Sequence, residues 1–310
     1  MRTFLTSGLN SILAIRLAWR WRNKKAPAFA LTPSSRVLVI ELGGLGDAVH
    51  ALPVLAALPL PVTVVCRDYV AELFELAGHR NTIGITKSRA GLARAIAELH
   101  GQEWDLVIST CWSTWATALA LQLNATTLCG FWRPRRIEVF GGCGPILPVS
   151  HADHLATLRW KAVAPLGIPL PAPLPVAALT AGRDERTAGR VVIVPFSGDR
   201  RRCLTTAETH ALIAALDSPV VLGGRADALR LKVFSGALIT PSIRDLLAAL
   251  GSARCVVTVN TGAMHLAAAL GVKTVSIFRT TDPQLSGPIG PRVTVVRTLA
   301  EAVEAAQKNF

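Results

Sequence analysis

Apolar positions along this chain gather into short unbroken runs, separated by longer stretches of mixed pattern. Val37-Leu38-Val39-Ile40 is the first such run, rich in β-branched residues, and it reads as a buried strand. A glycine-rich turn, Leu42-Gly43-Gly44-Leu45-Gly46, follows it, and residues 47–58 read as a helix that stops at Pro59. Val62 to Cys66 predicts the next strand, 69–77 and 89–100 predict helices, and Leu106-Val107-Ile108 a third strand. The rhythm restarts at residue 191. Strands are predicted over 191–194, 219–222, 255–259, 273–278 and 293–296, and helices over 206–216, 225–234, 242–251, 263–270 and 298–308. Strands that alternate with helices imply parallel sheets covered by helices, an α/β class.

Between the two halves lie Pro165, Pro169, Pro171, Pro173 and Pro175, a spacing that makes an extended linker and no helix. The sequence therefore divides into a basic tail (1–35), a Rossmann-like domain (36–163), a proline-rich linker (164–190) and a second Rossmann-like domain (191–310). Two doubly wound halves on one linker predict a ligand in the cleft between them. Residues 48–66 and 162–182 carry no Asp, Glu, Lys or Arg, yet prolines interrupt both, so no transmembrane span is predicted.

Composition narrows the partners. Of 310 residues 51% are apolar and 17% charged, which excludes wholesale disorder. Lys and Arg number 33 against 20 Asp and Glu, a formal charge of +13 that favours anionic ligands. Aromatic residues, at 5%, are too few for a stacking platform, and no nucleic-acid partner is expected. The six cysteines are scattered without a C-x-x-C pair, which fits a reducing compartment and argues against a zinc site or a disulfide framework. In the tail, Arg2, Arg16, Arg20, Arg22, Lys24 and Lys25 accompany Trp19 and Trp21 with no acid. The basic run follows the apolar stretch, the reverse of a secretory signal. A membrane-surface anchor, a frayed basic tail and an organellar transit peptide all remain open.

Five segments could carry chemistry. Asp47 follows the glycine turn at a helix start, where it is either a cap or a general base; His50 lies one turn later. Asn260-Thr261-Gly262 ends a buried strand and opens the alanine-rich helix that carries Met264 and His265, so the first amides of that helix point at a phosphate-sized space. An ordinary βα turn capped by Asn260, with His265 in the core, is the alternative. Ser197-Gly198-Asp199-Arg200-Arg201-Arg202 combines small residues with three arginines that would neutralise a diphosphate, unless they merely form a solvated loop. Gly223-Gly224-Arg225-Ala226-Asp227 offers an acid for ribose hydroxyls or for a helix dipole. Arg133, Arg135 and Arg136 form a basic loop that would hold an acidic acceptor or simply be solvated. There is no phosphate-binding G-x-x-x-x-G-K-[ST] loop and no Asp-x-Asp metal motif.

In this order the segments resemble glycosyltransferase family 9, the ADP-heptose:lipopolysaccharide heptosyltransferases. The likeness spans most of 36–290 and is sharpest at Leu45-Gly46-Asp47-Ala48-Val49-His50-Ala51-Leu52-Pro53, at Asn260-Thr261-Gly262-Ala263-Met264-His265, and at Thr281-Asp282-Pro283 and Gly287-Pro288-Ile289-Gly290-Pro291. It implies a GT-B fold and inverting transfer without a metal or other cofactor. It implies a nucleotide-sugar donor of the ADP-heptose type and an anionic glycolipid or glycan acceptor. It makes Asp47 the base and Arg202 the group that stabilises the leaving phosphate. Ser197, Gly198, Asp227, Asn260, Thr261, Gly262 and His265 would then bind the donor, and Gly43, Gly44, Arg133, Arg135 and Arg136 the acceptor. Such an enzyme would work in the cytoplasm, with the tail as a peripheral contact to the inner face of the membrane. The sequence departs from the family pattern at Asn260, where an Asp is usual, at Leu204-Thr205, where Trp-Pro is usual, and at Glu41, where a basic residue is common. An acid at 41 weighs against an acidic acceptor. Two other readings compete: an NAD(P)-dependent oxidoreductase using the incomplete fingerprint Gly44-x-Gly46 with Asp68, and a catalytically degenerate nucleotide-sugar binder.

Overall fold

A computed structural model of the chain describes residues 30–131, 139–141, 150 and 152–308. These residues fall into two compact units. The first ends at Leu174 and leaves out Leu45–Val49; those five residues group with Pro175 and all that follows.

In the first unit the elements run β1 (Val37–Glu41), α1 (Leu45–Ala56), β2 (Thr63–Arg67), α2 (Ala71–Leu76), β3 (Thr82–Ile85), α3 (Arg89–Leu99), β4 (Glu103–Ser109), α4 (Thr114–Ala120), β5 (Asn124–Phe131), β6 (Val139–Gly141) and α5 (Leu155–Val163). The sheet order is β3-β2-β1-β4-β5-β6. β1 to β5 pair in parallel and β6 closes the edge antiparallel. All five residues of β1 are buried, as a central parallel strand covered on both faces requires. Leu38, Ile40, Val107, Leu119 and Leu128 meet in the core on one side of this sheet. Pro53 lies inside α1, which begins two residues before the predicted start and ends at Ala56, short of Pro59. Proline within a helix loses one i→i−4 hydrogen bond, and burial of Ala51, Leu52, Val54 and Leu55 against the sheet offsets that loss.

The second unit continues with β7 (Val191–Val194), α6 (Thr206–Ala215), β8 (Val220–Gly224), α7 (Ala228–Leu231), β9 (Leu238–Thr240), α8 (Ile243–Gly251), β10 (Cys255–Val259), α9 (Gly262–Ala269), β11 (Lys273–Ile277), α10 (Pro283–Ser286), β12 (Val293–Val296) and α11 (Leu299–Gln307). Its sheet order is β12-β11-β10-β7-β8-β9, parallel throughout. Helix starts here are written in the sequence. Thr205 and Glu208 form a reciprocal capping box on α6, and Thr298 and Glu301 form another on α11. Helix 225–234 of the sequence reading is shorter in the structure: a 3₁₀ turn over Arg225–Asp227 and then only α7.

Each unit repeats one doubly wound order. Counted within its own unit, each sheet runs 3-2-1-4-5-6, so the chain reverses direction across the sheet between the first and fourth strands. Loops that leave those two strands diverge and open a crevice at the carboxyl edge, which is where ligands bind in such sheets. In the first unit those loops follow β1 and β4; in the second they follow β7 and β10. No helix among the described residues is long and apolar enough to cross a membrane.

Candidate active site

The loop after β7 is built around a thiol. The Ser197 amide donates to Cys203 Sγ at 3.2 Å, Leu204 N donates to Pro195 O at 2.9 Å, and the Asp199 amide donates to Ser197 Oγ at 3.4 Å. Residues 200–202 form a 3₁₀ turn capped by Asp199, whose Oδ1 accepts from Arg201 N at 3.1 Å. The sequence reading counted three arginines toward a diphosphate, but the structure divides them. Arg201 closes on Asp199 with Nε on Oδ1 at 3.0 Å and Nη2 on Oδ2 at 2.7 Å. The hydrogen bonds from Arg201 hold the Asp199 carboxyl down to about 2. Arg202 is half-buried; its Nε is buried, 3.6 Å from Asp199 Oδ2 and beyond hydrogen-bond reach of it. A space wide enough for a Cβ stands over Gly198.

At the other side of the switch point, β10 ends in Asn260. Its side-chain amide donates to Thr281 Oγ1 at 2.7 Å and to Ser286 Oγ at 3.4 Å, so Asn260 ties the strand end to the Thr281-Asp282-Pro283 segment. Asn260 is therefore not the cap of α9. Thr261 holds the N-cap position with extended backbone, and no side chain caps the helix. The amides that open α9 thus remain a cluster of donors at the positive end of a helix dipole. His265 is buried on the second turn of that helix. The first turn of α1, which groups with this unit, packs on it closely. A Cβ on Gly46 would stand 2.4 Å from His265 Cδ2, and one on Gly262 would stand 2.6 Å from Leu45 Cβ, so both positions need glycine. Asp47, the third residue of α1, is half-buried beside this contact.

Asp227 behaves as a turn-closing acid. Its Oδ2 accepts from Gly224 N at 3.3 Å and its Oδ1 lies 3.6 Å from Arg230 Nη1. The guanidinium of Arg230 stacks on Phe196, 3.6 Å from the ring centroid.

In the first unit the turn after β1 is fixed from below. Glu41 is fully buried and does not present its charge to an acceptor, contrary to the reading from sequence. Its Oε1 accepts from Gly43 N at 2.7 Å, and its Oε2 accepts from the Thr110 hydroxyl at 2.9 Å and from Arg159 Nε at 3.2 Å. Leu42 N donates to Cys111 Sγ at 3.1 Å. Burial and the charge of Glu41 push the Cys111 thiol far above its ordinary value and hold it protonated. His50 is buried with its ring edge-on to that of His154, centroids 5.2 Å apart. Arg133, Arg135, Arg136 and most of the tail lie outside the described residues. Sequence reasoning missed Arg159 and Thr110. The signal available for Arg159 was a lone arginine inside the apolar helical stretch Leu155-Ala156-Thr157-Leu158-Arg159-Trp160.

Residues 240–309 match the model for Glycosyltransferase family 9 (heptosyltransferase). Over that segment, less than a quarter of its length, the chain is similar to family 9 glycosyltransferases. The matched segment holds α8, β10, the Asn260-Thr261-Gly262 turn and α9. Among solved structures, the chain is similar to a glycosyl transferase family 9 protein from Veillonella parvula (TM-score 0.70, 17% identity, 88% of this chain and 89% of that one). It is also similar to E. coli heptosyltransferase WaaC with ADP (0.64, 20%, 84% and 93%) and to E. coli ADP-heptose lps heptosyltransferase II (0.62, 14%, 87% and 97%). Those structures share the GT-B fold with this chain. No curated protein sequence matches it.

Proposed function

We propose that this glycosyltransferase moves a sugar, heptose first among the candidates, from a nucleoside-diphosphate donor to a glycan acceptor of the lipopolysaccharide-core kind, with inversion and without a metal. The observation that carries the reading is the uncapped start of α9 behind Asn260-Thr261-Gly262, inside the family match and at the same switch point as the Arg202 loop. An adenosine diphosphate donor is favoured by the relatives crystallised with ADP and with ADP-2-deoxy-2-fluoro heptose.

In this mechanism the diphosphate lies on the first amides of α9 and on Arg202, with Ser197 and Gly198 beside it and Asp227 toward the ribose. Asp47 takes the proton of the acceptor hydroxyl as its oxygen attacks the anomeric carbon. The bond to the diphosphate breaks on the opposite face, and the leaving charge passes to amides and guanidinium. Fixed dipoles aimed at developing charge make the largest contribution, and the base adds about 10²–10⁴-fold. Gly43, Gly44 and the 133–136 arginines would hold the acceptor, and residues 1–35 would give peripheral contact with the inner face of a membrane from the cytoplasm.

The test is transfer from ADP-heptose to a defined core acceptor by wild type and Asp47→Ala. Loss of turnover with ADP affinity kept supports the reading, and retained turnover in the variant removes Asp47 as the base. ADP binding without transfer by the wild type would make the protein a nucleotide-sugar binder.

A further inference from the structure

The mechanism uses Asp47 but not the buried carboxylate six positions before it. Glu41 and Arg159 are an ion pair with side chains 0% and 4% exposed. Charges so deep persist only when paired and hydrogen-bonded. Replacing such a pair by apolar residues of like volume usually leaves stability unchanged or improves it, so stability does not account for the pair.

What the pair does, and an apolar pair would not, is hold backbone. Glu41 Oε1 accepts the Gly43 N–H at 2.7 Å, at the point where the chain leaves β1 for the helix that bears Asp47. Oε2 is fixed in turn by the Thr110 hydroxyl and by Arg159 Nε, while Arg159 Nη1 donates to Leu155 O at 2.8 Å on the first turn of α5. A second point of α5 meets the same helix. His154 caps α5, with Nδ1 accepting from Ala156 N at 3.1 Å, and its ring stands against that of His50, one turn beyond Asp47. Helix α5 therefore braces the segment 43–50 from both sides of the aspartate.

We propose that Glu41 and Arg159 are positioning residues for Asp47: the pair fixes the Gly43 amide, and with it the path of the chain into α1 and the place of the carboxylate. This rests on the reading of Asp47 as the base. Neither residue touches substrate.

The experiment compares full-length wild type, Glu41→Gln and the double variant E41M/R159M. It measures melting temperature, amide hydrogen exchange at residues 42–46, kcat and donor KM. The double variant is expected to melt at or above wild type, to exchange the Gly43 amide about tenfold faster or more as its acceptor is lost, and to lose about ten- to a hundredfold in kcat by misplacement of the base. Donor KM should stay near wild type. Glu41→Gln, which keeps a carbonyl oxygen for Gly43, should hold the exchange rate near wild type and recover part of kcat. A folded double variant with wild-type kcat, or with Gly43 exchange unchanged, overturns the proposal. Should that variant fail to fold, Thr110→Val removes one bond to Oε2 with the charges in place; a lowered kcat at constant KM supports positioning, and wild-type kcat overturns it. If the wild type itself transfers no sugar, the transferase reading falls and the catalytic role of the pair with it, while Gly43 exchange still decides whether the pair holds the turn.

Discussion

The side-chain amide of Asn260 donates to the hydroxyl of Thr281 at 2.7 Å. The resemblance to family 9 leads one to expect an acid at residue 260, and here an uncharged group fastens the end of β10 to the segment that opens α10. An aspartate in its place would still find partners, because both Thr281 and Ser286 carry hydroxyls that can turn to donate. Asn260→Asp is therefore expected to keep the fold, with a melting temperature close to wild type, and to change the ranking of nucleotide sugars. A hydrogen bond to a charged group contributes about 1.5–3 kcal/mol, roughly ten- to a hundredfold in kcat/KM. Competition assays across donors give the ranking, and an unaltered order removes residue 260 from sugar choice.

Arg201 and Arg202 are neighbours with different commitments. Arg201 is spent on Asp199 through hydrogen bonds, while Arg202 stands in a looser 3.6 Å ion pair with the same carboxylate, its buried Nε making no hydrogen bond to it. Arg202→Ala should lower kcat by about 10²–10³, the loss typical for one donor to a developing anion. Arg201→Ala should leave kcat close to wild type. Equal losses in single-turnover rates would mean that the loop acts only through its net charge.

Gly46 is packed so that a methyl group at its Cβ would overlap the His265 ring, itself buried. Gly46→Ala should destabilise the protein by about 1–3 kcal/mol, as overpacked sites do, and lower the midpoint of thermal unfolding by several degrees. Calorimetry of the variant checks this; an unchanged midpoint would show that the ring has room to retreat.

Asp199 sets a pH window for its loop. Its carboxyl lies near 2 in the folded protein against an ordinary 3.8, chiefly through the Arg201 hydrogen bonds. A depressed carboxyl contributes stability that is complete above the unfolded value and lost as pH falls through the folded one. The melting-temperature gap between wild type and Asp199→Asn should thus be constant above about pH 5 and shrink between pH 4 and 2. The gap should be small, since exposed ion pairs contribute little. A gap that persists at pH 2 would remove the Arg201 pairing as its source.

Much of the fold was legible because its central strands are continuous apolar runs: Val37–Ile40, Val191–Val194 and Cys255–Val259 could hardly be anything but buried parallel strands. Edge elements were less visible. β3, Thr-Ile-Gly-Ile, is short and only half covered, and β5 alternates Asn and Thr with apolar residues at its start. α4, Thr-Trp-Ala-Thr-Ala-Leu-Ala, has four of its seven residues buried, so no polar stripe marks it as a helix. The site followed the same division. The Asn260-Thr261-Gly262 turn and Asp47 are local signals in a strand–turn–helix, readable from neighbours in sequence. Glu41 was not, because its meaning depends on Arg159, 118 positions away. Thr205, by contrast, is explained by a neighbour in sequence, its capping box with Glu208.

The same long-range pairing limits where the chain can be cut. A fragment holding β1 to β6 but lacking α5 would carry a bare carboxylate inside its sheet and leave the Gly43 turn without its anchor. Any attempt to express the amino-terminal half by itself should therefore run past Val163, and a boundary drawn between β6 and α5 would yield an insoluble product.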